Sequence, residues 1–121
     1  MNMSEFKFNP PKRSKYGNNK TVVDNQSFDS QKEAYRYLEL KQKQKDGLIS
    51  GLKRQPVFEL QEKFIDNQGK KVRAIEYVGD FQYIEGNATI VEDVKGFATK
   101  DFKLKEKMFR FKFREYIFRK T

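Results

Sequence analysis

The spacing of apolar residues along the chain predicts two helices. Residues 30–33, Ser-Gln-Lys-Glu, match the S-x-x-E capping box that begins many helices, and Gly47 is placed to end the helix that follows. One face of that helix carries Ala34, Tyr37, Leu38 and the stem of Lys41. A second helix is expected at residues 100–113, capped by Thr99, with phenylalanines on one face and basic residues on the other.

Between the helices, apolar and polar residues alternate in three segments, which predicts three strands. These strands are expected at residues 57–64, 72–83 and 88–95, with turn-forming residues between them at 66–69 and 85–87. One side of the first strand carries Phe58, Leu60 and Phe64. The third strand is apolar on both faces at Ile90 and Val91, so we expect it in the middle of the sheet.

The two ends of the chain complete the predicted domain organisation. Residues 1–20 are polar and basic and are interrupted by Pro10-Pro11, which predicts a flexible arm before a single domain at 21–121. A short hairpin or a lead-in strand is expected near residues 21–28, and a last strand at 115–119. The predicted fold is therefore α/β (α+β), with a mixed central sheet flanked by helices.

The composition excludes several kinds of chemistry, because the chain has no histidine, cysteine or tryptophan. Ser-His-Asp and Cys-His catalysis, Cys/His zinc sites and disulfides are all impossible. Oxygen ligands remain, and these favour Mg²⁺ or Mn²⁺ over zinc or copper. No segment has the character of a signal peptide or a membrane span, so we expect the protein in the cytoplasm.

The charge of the chain is strongly asymmetric. The net charge is +9, but residues 95–121 hold ten basic and three acidic residues, while residues 21–94 hold eleven basic and thirteen acidic residues. Residues 1–20 add five basic residues against one acid. Basic ends that flank an acidic middle favour a nucleic-acid partner, although lysine-rich segments can also be simple solvated surfaces.

The candidate chemistry lies on two of the predicted strands. Asp80 follows an apolar segment, and Asp93 and Lys95 belong to Val-Glu-Asp-Val-Lys-Gly at 91–96. Because side chains alternate along a strand, Asp93 and Lys95 point to one side and Glu92 to the other. Two carboxylates can hold a hard divalent cation, and a lysine can orient water and offset phosphate charge. This pattern is typical of a metal-dependent phosphodiesterase.

Five segments carry a resemblance to a known family. In chain order they are Lys-Tyr-Gly-Asn-Asn-Lys at 15–20, Phe-Asp-Ser-Gln-Lys-Glu-Ala at 28–34, Tyr-Val-Gly-Asp-Phe at 77–81, Val-Glu-Asp-Val-Lys-Gly at 91–96 and Thr-Lys-Asp at 99–101. Together they resemble a phage and prophage family within the PD-(D/E)XK nuclease superfamily, whose core has the order αβββαβ. That superfamily includes Holliday junction resolvases and transposon end-cutting endonucleases.

The resemblance implies a Mg²⁺-dependent (or Mn²⁺-dependent) DNA endonuclease. Asp80 and Asp93, with Glu33 on the first helix, would hold the metal, and Lys95 would complete the catalytic set. The implied substrate is branched phage DNA, cut by a homodimer, with phage replication or recombination proteins as further partners. DNA would be bound by basic residues of the second helix and of the arm: Lys100, Lys103, Lys107, Arg110, Lys12, Arg13 and Lys15.

The same residues also fit structural roles and functions without catalysis. The capping box alone explains Glu33, and Asp93 with Lys95 could be an ion pair. The proline that precedes the aspartate in the PD-(D/E)XK motif is Gly79 here, and a strand glycine often marks a bulge or a close backbone approach that could re-aim Asp80. The protein could instead be a non-catalytic DNA-binding accessory protein of phage replication or packaging, or a nuclease subunit that needs a partner.

Overall fold

The protein is described by a computed structural model that covers residues 20–94 and 99–121. The fold is mixed α+β and divides into two compact units, Met1–Leu52 and Lys53–Thr121. In chain order the elements are β1 (Thr21–Val23), β2 (Gln26–Phe28), α1 (Gln31–Lys45), β3 (Ser50–Arg54), β4 (Val57–Gln61), β5 (Phe64–Ile65), β6 (Lys71–Val72), β7 (Ile75–Val78), β8 (Phe81–Glu85), β9 (Ala88–Asp93), α2 (Lys100–Lys112) and β10 (Ile117–Lys120).

The first unit packs a hairpin against helix α1, as the sequence predicts. Strands β1 and β2 pair antiparallel around Asp24 and Asn25, which both have positive φ, as a two-residue hairpin turn requires. The ring of Phe28 lies 5.1 Å from that of Tyr37 on α1. The Ser30 hydroxyl accepts a hydrogen bond from the Glu33 amide at 3.1 Å, so the predicted helix cap is confirmed.

The second unit contains most of a four-stranded mixed sheet in the order β10-β9-β8-β3, where the division between the units runs through β3. Strand β9 lies between β8, its antiparallel neighbour, and β10, its parallel neighbour. The expected central position of the third predicted strand is thereby confirmed. Helix α2 connects the two parallel strands, and its capping by Thr99 is also confirmed.

Two of the predicted strands are broken in the structure. The single strand expected at 72–83 is wrong, because it divides into β6, β7 and β8. The strand expected at 57–64 ends with β4, where a register shift between Glu59 and Gln61 disturbs the pairing. Phe64 therefore does not share the buried side with Phe58 and Leu60; it is exposed in the separate hairpin of β5 and β6.

An aromatic cluster forms the core of the second unit. Phe58, Tyr77 and Phe109 are buried together, with ring centroids 4.7 to 6.3 Å apart. Further apolar residues of β7, α2, β10 and the segment between α2 and β10 pack around them: Ile75, Phe102, Met108, Phe113, Tyr116 and Phe118. This cluster fixes α2 against the strands that carry the candidate site. Across residues 20–94 and 99–121, no helix is both long and apolar enough to cross a membrane.

Candidate metal and nucleic-acid site

The candidate site begins at a paired bend between two broken strands. Gln55 and Pro56 separate β3 from β4, and Gly79 and Asp80 separate β7 from β8. The Gln55 amide donates to the Asp80 carbonyl at 2.9 Å, and the Gly79 amide donates to the Pro56 carbonyl at 3.0 Å. Backbone pairing thus continues through the bend, so hydrogen bonds to the neighbouring segment fix the position of Asp80.

The space for a side chain at Gly79 is tight. A Cβ atom there would lie 3.1 Å from Cγ1 of Val91 and 3.4 Å from Cγ of Pro56. A close approach is one of the two features that a strand glycine predicts, and the structure confirms it. Gly79 thus lies against Val91 of the central strand β9 and against Pro56 of the paired segment.

The Asp80 carboxylate reaches the end of β9. Its Oδ2 accepts a hydrogen bond from the Val94 amide at 2.7 Å, while the Asp80 amide donates to the Glu92 carbonyl at 3.0 Å. Phe81 is paired with Glu92, so continuing the register by one residue places Asp80 opposite Asp93. Strand pairing therefore places the backbones of Asp80 and Asp93 opposite each other at the end of the central strand.

Asp93 is buried at the same end of the sheet. Only 1% of the residue is exposed, and its Oδ2 accepts a hydrogen bond from the Tyr77 hydroxyl. The Tyr77 ring stacks 4.8 Å from Phe109 of α2, so the carboxylate faces the aromatic cluster. A buried carboxylate without a donor is costly, and the tyrosine hydroxyl provides that donor.

Glu92 occupies the opposite face of β9, as strand alternation predicts, and is completely buried. The Tyr83 hydroxyl donates to its Oε1 at 2.5 Å and the Thr121 hydroxyl donates to its Oε2 at 3.0 Å. Arg119 donates to the Tyr83 oxygen at 3.0 Å and pairs with Glu85 at 3.1 Å. Sequence reasoning missed this network, although a glutamate in a central strand signals the need for buried partners.

Two pKa values follow from this network. Burial, followed by the hydrogen bond and the charge of Glu92, raises the pKa of Tyr83, against a smaller opposing effect of Arg119. The hydrogen bond to Glu85 raises the pKa of Arg119, so the guanidinium stays charged. Tyr83 thus remains a protonated donor to a buried carboxylate over the physiological pH range.

A second acid and a second lysine lie on the Asp93 face. Lys120 of β10 is the register partner of Asp93, and its Nζ lies 3.2 Å from Oε1 of Glu106 on α2. Glu106 is buried, and its Oε2 has no hydrogen-bond partner among the described residues. Sequence reasoning placed neither residue at the site, because their proximity depends on the parallel register of β9 and β10.

The structure describes only some of the predicted site residues. Lys95, Lys12, Arg13 and Lys15 lie outside the described residues. Glu33 belongs to the first unit, where it is buried near the start of α1. Within residues 20–94 and 99–121, no group of three or more carboxylates comes together closely enough to hold a metal ion. The predicted role of Glu33 as a metal ligand therefore stays a prediction.

The predicted DNA-binding residues of α2 are all on the surface. Lys100, Lys103, Lys107 and Arg110 are exposed along the helix. Phe102, Met108 and Phe109 of α2 pack in the cluster around Phe58, whereas Leu104 and Phe111 of the same helix are exposed. Phe102, Phe109 and Phe113 pack on the side predicted for them, and the four cations are accessible to a polyanion.

The comparisons with known proteins give a family for the chain. The model of a family described as "Protein of unknown function (DUF1064)" matches residues 13–120, which include both the bend and the second helix. The chain therefore belongs to the DUF1064 family. Comparisons with curated proteins and with solved structures each found no significant match.

Proposed function

We propose that this DUF1064 protein is a metal-dependent DNA endonuclease with a PD-(D/E)XK-type core. The observation that carries the proposal is the hydrogen bond from the Val94 amide to the Asp80 carboxylate at 2.7 Å. It joins the two segments whose acids were predicted to act together. The order of helix, broken antiparallel strands, helix and parallel last strand also supports a core of this type.

The carboxylates at the bend suit a hard divalent cation. Mg²⁺ keeps several waters in proteins and often takes only one or two carboxylates, together with oxygens of a phosphate substrate. Asp80, which is only partly buried, and Asp93 next to it would supply this pair. A bound Mg²⁺ or Mn²⁺ would lower the pKa of a water molecule and neutralise charge on the attacked phosphate. The metal preference follows from a chain without histidine or cysteine.

Lys95 is the proposed partner of the two acids. Strand alternation from Asp93 predicts that its side chain lies on the Asp93 side of the chain. There its ammonium would position the attacking water and offset charge on the phosphate. Tyr77 would orient Asp93 through the hydroxyl hydrogen bond, which makes it a positioning residue.

The proposed ligand is the DNA backbone. Four exposed cations of α2, Lys100, Lys103, Lys107 and Arg110, would bind phosphates without reading sequence. Helix α2 begins six residues after Val94, whose amide donates to Asp80, and we propose that a strand bound along the helix reaches the metal site. We propose branched DNA as the substrate, cut by a homodimer whose two sites nick symmetrically. This substrate follows from the resemblance of the sequence to resolvases.

The experiment that tests this function is cleavage of labelled DNA by the purified protein. A four-way junction, a linear duplex and a single strand would each be incubated with Mg²⁺, Mn²⁺ or EDTA. We expect paired nicks in the junction with either metal, none in EDTA, and loss of cleavage in Lys95→Ala. The variant Glu33→Gln distinguishes the two roles proposed for Glu33. If Glu33 only caps the helix, this variant should cleave DNA normally, and if it is a metal ligand, cleavage should be lost. Absence of metal-dependent cleavage on all three substrates would contradict the proposal.

A second candidate function is a DNA-binding protein without catalytic activity. It is favoured by the structural partners of both acids, since Asp93 accepts from a buried tyrosine and Asp80 from a backbone amide. On this hypothesis both carboxylates only stabilise the bend, and binding to DNA is the same in Mg²⁺ and in EDTA.

A further inference from the structure

The hairpin of β5 and β6 exposes large apolar side chains. Phe64 is 44% and Ile65 is 66% exposed, although both belong to paired strands. The turn between the strands is tied by Asp66, whose Oδ1 accepts hydrogen bonds from the Gln68 and Lys70 amides at 2.8 and 2.9 Å. A hydrogen-bonded turn therefore presents two large apolar side chains to the outside.

Cations surround these apolar side chains. Phe64 and Ile65 share one open groove of about 580 Å³ with Val72 and with Lys63, Lys71 and Arg73. Ile65 lies on the same side of the hairpin as its register partner Lys71, and Phe64 lies on the other side with its partner Val72, so both sides of the hairpin border the groove. In the part of the chain that the structure describes, no carboxylate forms an ion pair with Lys63, Lys71 or Arg73.

We propose that this hairpin binds a single strand of DNA, with the cations on the phosphates and Phe64 and Ile65 against unpaired bases. Base faces are accessible only where bases are unpaired, and stacking on an aromatic ring combined with a basic groove is the usual means of holding them. A volume of about 580 Å³ lies within the roughly 300–1,000 Å³ of small-ligand pockets, so the groove has room for a base. Three cations beside apolar residues are complementary to single-stranded DNA, which carries a charged phosphate and an apolar base face in every nucleotide.

This proposal rests on the proposed function for its choice of DNA, but it needs no cleavage. The hairpin and the bend belong to the same unit, and the chain runs from Val72 through β7 to Asp80. Eight residues of strand extend for at most about 26 Å. At about 3.4 Å per phosphate, this corresponds to no more than about eight nucleotides. The hairpin would therefore hold an unpaired strand within about eight nucleotides of the cut, as at a branch point.

The test is equilibrium binding of a fluorescent single strand and of the matching duplex in EDTA, where no cleavage occurs. An oligonucleotide of roughly 20 nucleotides exceeds the usual site of about 4–16 nucleotides. The variants are Phe64→Ala, Ile65→Ala and Lys71→Gln/Arg73→Gln. Leu48→Ala is the matched control for Ile65→Ala, because Leu48 is 63% exposed and lies in the first unit. Lys45→Gln/Lys53→Gln is the control for the loss of two exposed cations.

We expect Phe64→Ala to weaken single-strand binding by roughly 5- to 100-fold and duplex binding much less. In the Lys71→Gln/Arg73→Gln variant, the plot of log affinity for the single strand against log salt concentration should have a slope that is less negative by about 1.4. Unchanged single-strand affinity, equal losses on the duplex, or the same loss in Leu48→Ala would overturn the proposal. Because binding is measured without metal, a failure of the proposed nuclease activity would leave this result interpretable by itself.

Discussion

At the scale of single residues, the central strand carries two consecutive buried carboxylates that face opposite sides. Asp93 accepts from Tyr77 and Glu92 from Tyr83, so a tyrosine hydroxyl satisfies each acid. The sequence predicts that the two acids point in opposite directions, because alternation is a local property of a strand. It does not predict the tyrosine partners, because these depend on the register between strands that are distant in sequence.

The hydrogen bond between Tyr83 and Glu92 predicts that the protein loses stability at alkaline pH. The pKa of Tyr83 is raised in the folded protein above its ordinary value of 10.0. The folded state therefore keeps this proton when the unfolded state begins to lose it, and stability should fall as pH rises above about 10. Below that pH the contribution is fully present.

The variant Tyr83→Phe tests this expectation by urea unfolding between pH 8 and pH 11. At pH 8 the variant should be less stable by about 1–3 kcal/mol, because Glu92 loses a buried donor. The difference in stability from the wild type should narrow towards pH 11, because the tyrosine of the unfolded wild-type chain ionises there. Tyr35→Phe replaces an exposed tyrosine of α1, and its curve of unfolding free energy against pH should run parallel to that of the wild type. Parallel curves for Tyr83→Phe as well would show that this hydroxyl does not carry the effect.

At the scale of elements, the helices and caps follow from the sequence more reliably than the strands. Helix α1 forms where the capping box and the apolar face predict it, because both signals are local. The strand predicted at 72–83 instead breaks at Gly79, where the chain leaves the partner of β7 and joins that of β8. Apolar and polar residues continue to alternate across such a bend. The alternation therefore indicates a strand but does not reveal that the pairing changes to another strand. Strand β3 was missed because Ser50–Arg54 has only one apolar side chain.

The contacts at the bend predict that replacing Gly79 with alanine or with proline lowers the stability of the protein. Gly79→Ala should cost about 1–3 kcal/mol, because its Cβ would lie 3.1 Å from Val91. Gly79→Pro should cost more, since it also removes the amide that donates to the Pro56 carbonyl. Urea unfolding midpoints of the two variants measure both effects.

The double variant Gly79→Ala/Val91→Ala serves as the control for this crowding. If the contact with Val91 causes the loss of stability, the double variant should be destabilised by less than the sum of the two single variants. A Gly79→Pro protein as stable as the wild type would contradict the hydrogen-bonded geometry of the bend.

At the scale of the whole molecule, the candidate site combines residues that are local in sequence with residues that only the fold brings near. The spacing of Asp80 and Asp93 was sufficient to predict that they lie together, since a hairpin returns the chain to the same end of the sheet. Glu106 and Lys120 could not be predicted, because they reach the Asp93 face through the packing of α2 and the parallel pairing of β10. Charge asymmetry indicates a polyanion as the partner, but it does not distinguish between binding and cleavage.

The most direct test of the proposed metal site is the rate of Mg²⁺-dependent junction cleavage by Asp80→Asn, compared with Glu92→Gln. Asparagine can still accept the Val94 hydrogen bond, and glutamine can still accept from Tyr83, so each variant keeps its contact and loses one negative charge. We predict that Asp80→Asn lowers the rate by about 100-fold or more, with a nearly unchanged unfolding midpoint. Glu92→Gln should cleave at close to the wild-type rate. Normal cleavage by Asp80→Asn, or an equal loss in both variants, would contradict the assignment of the metal site to the bend.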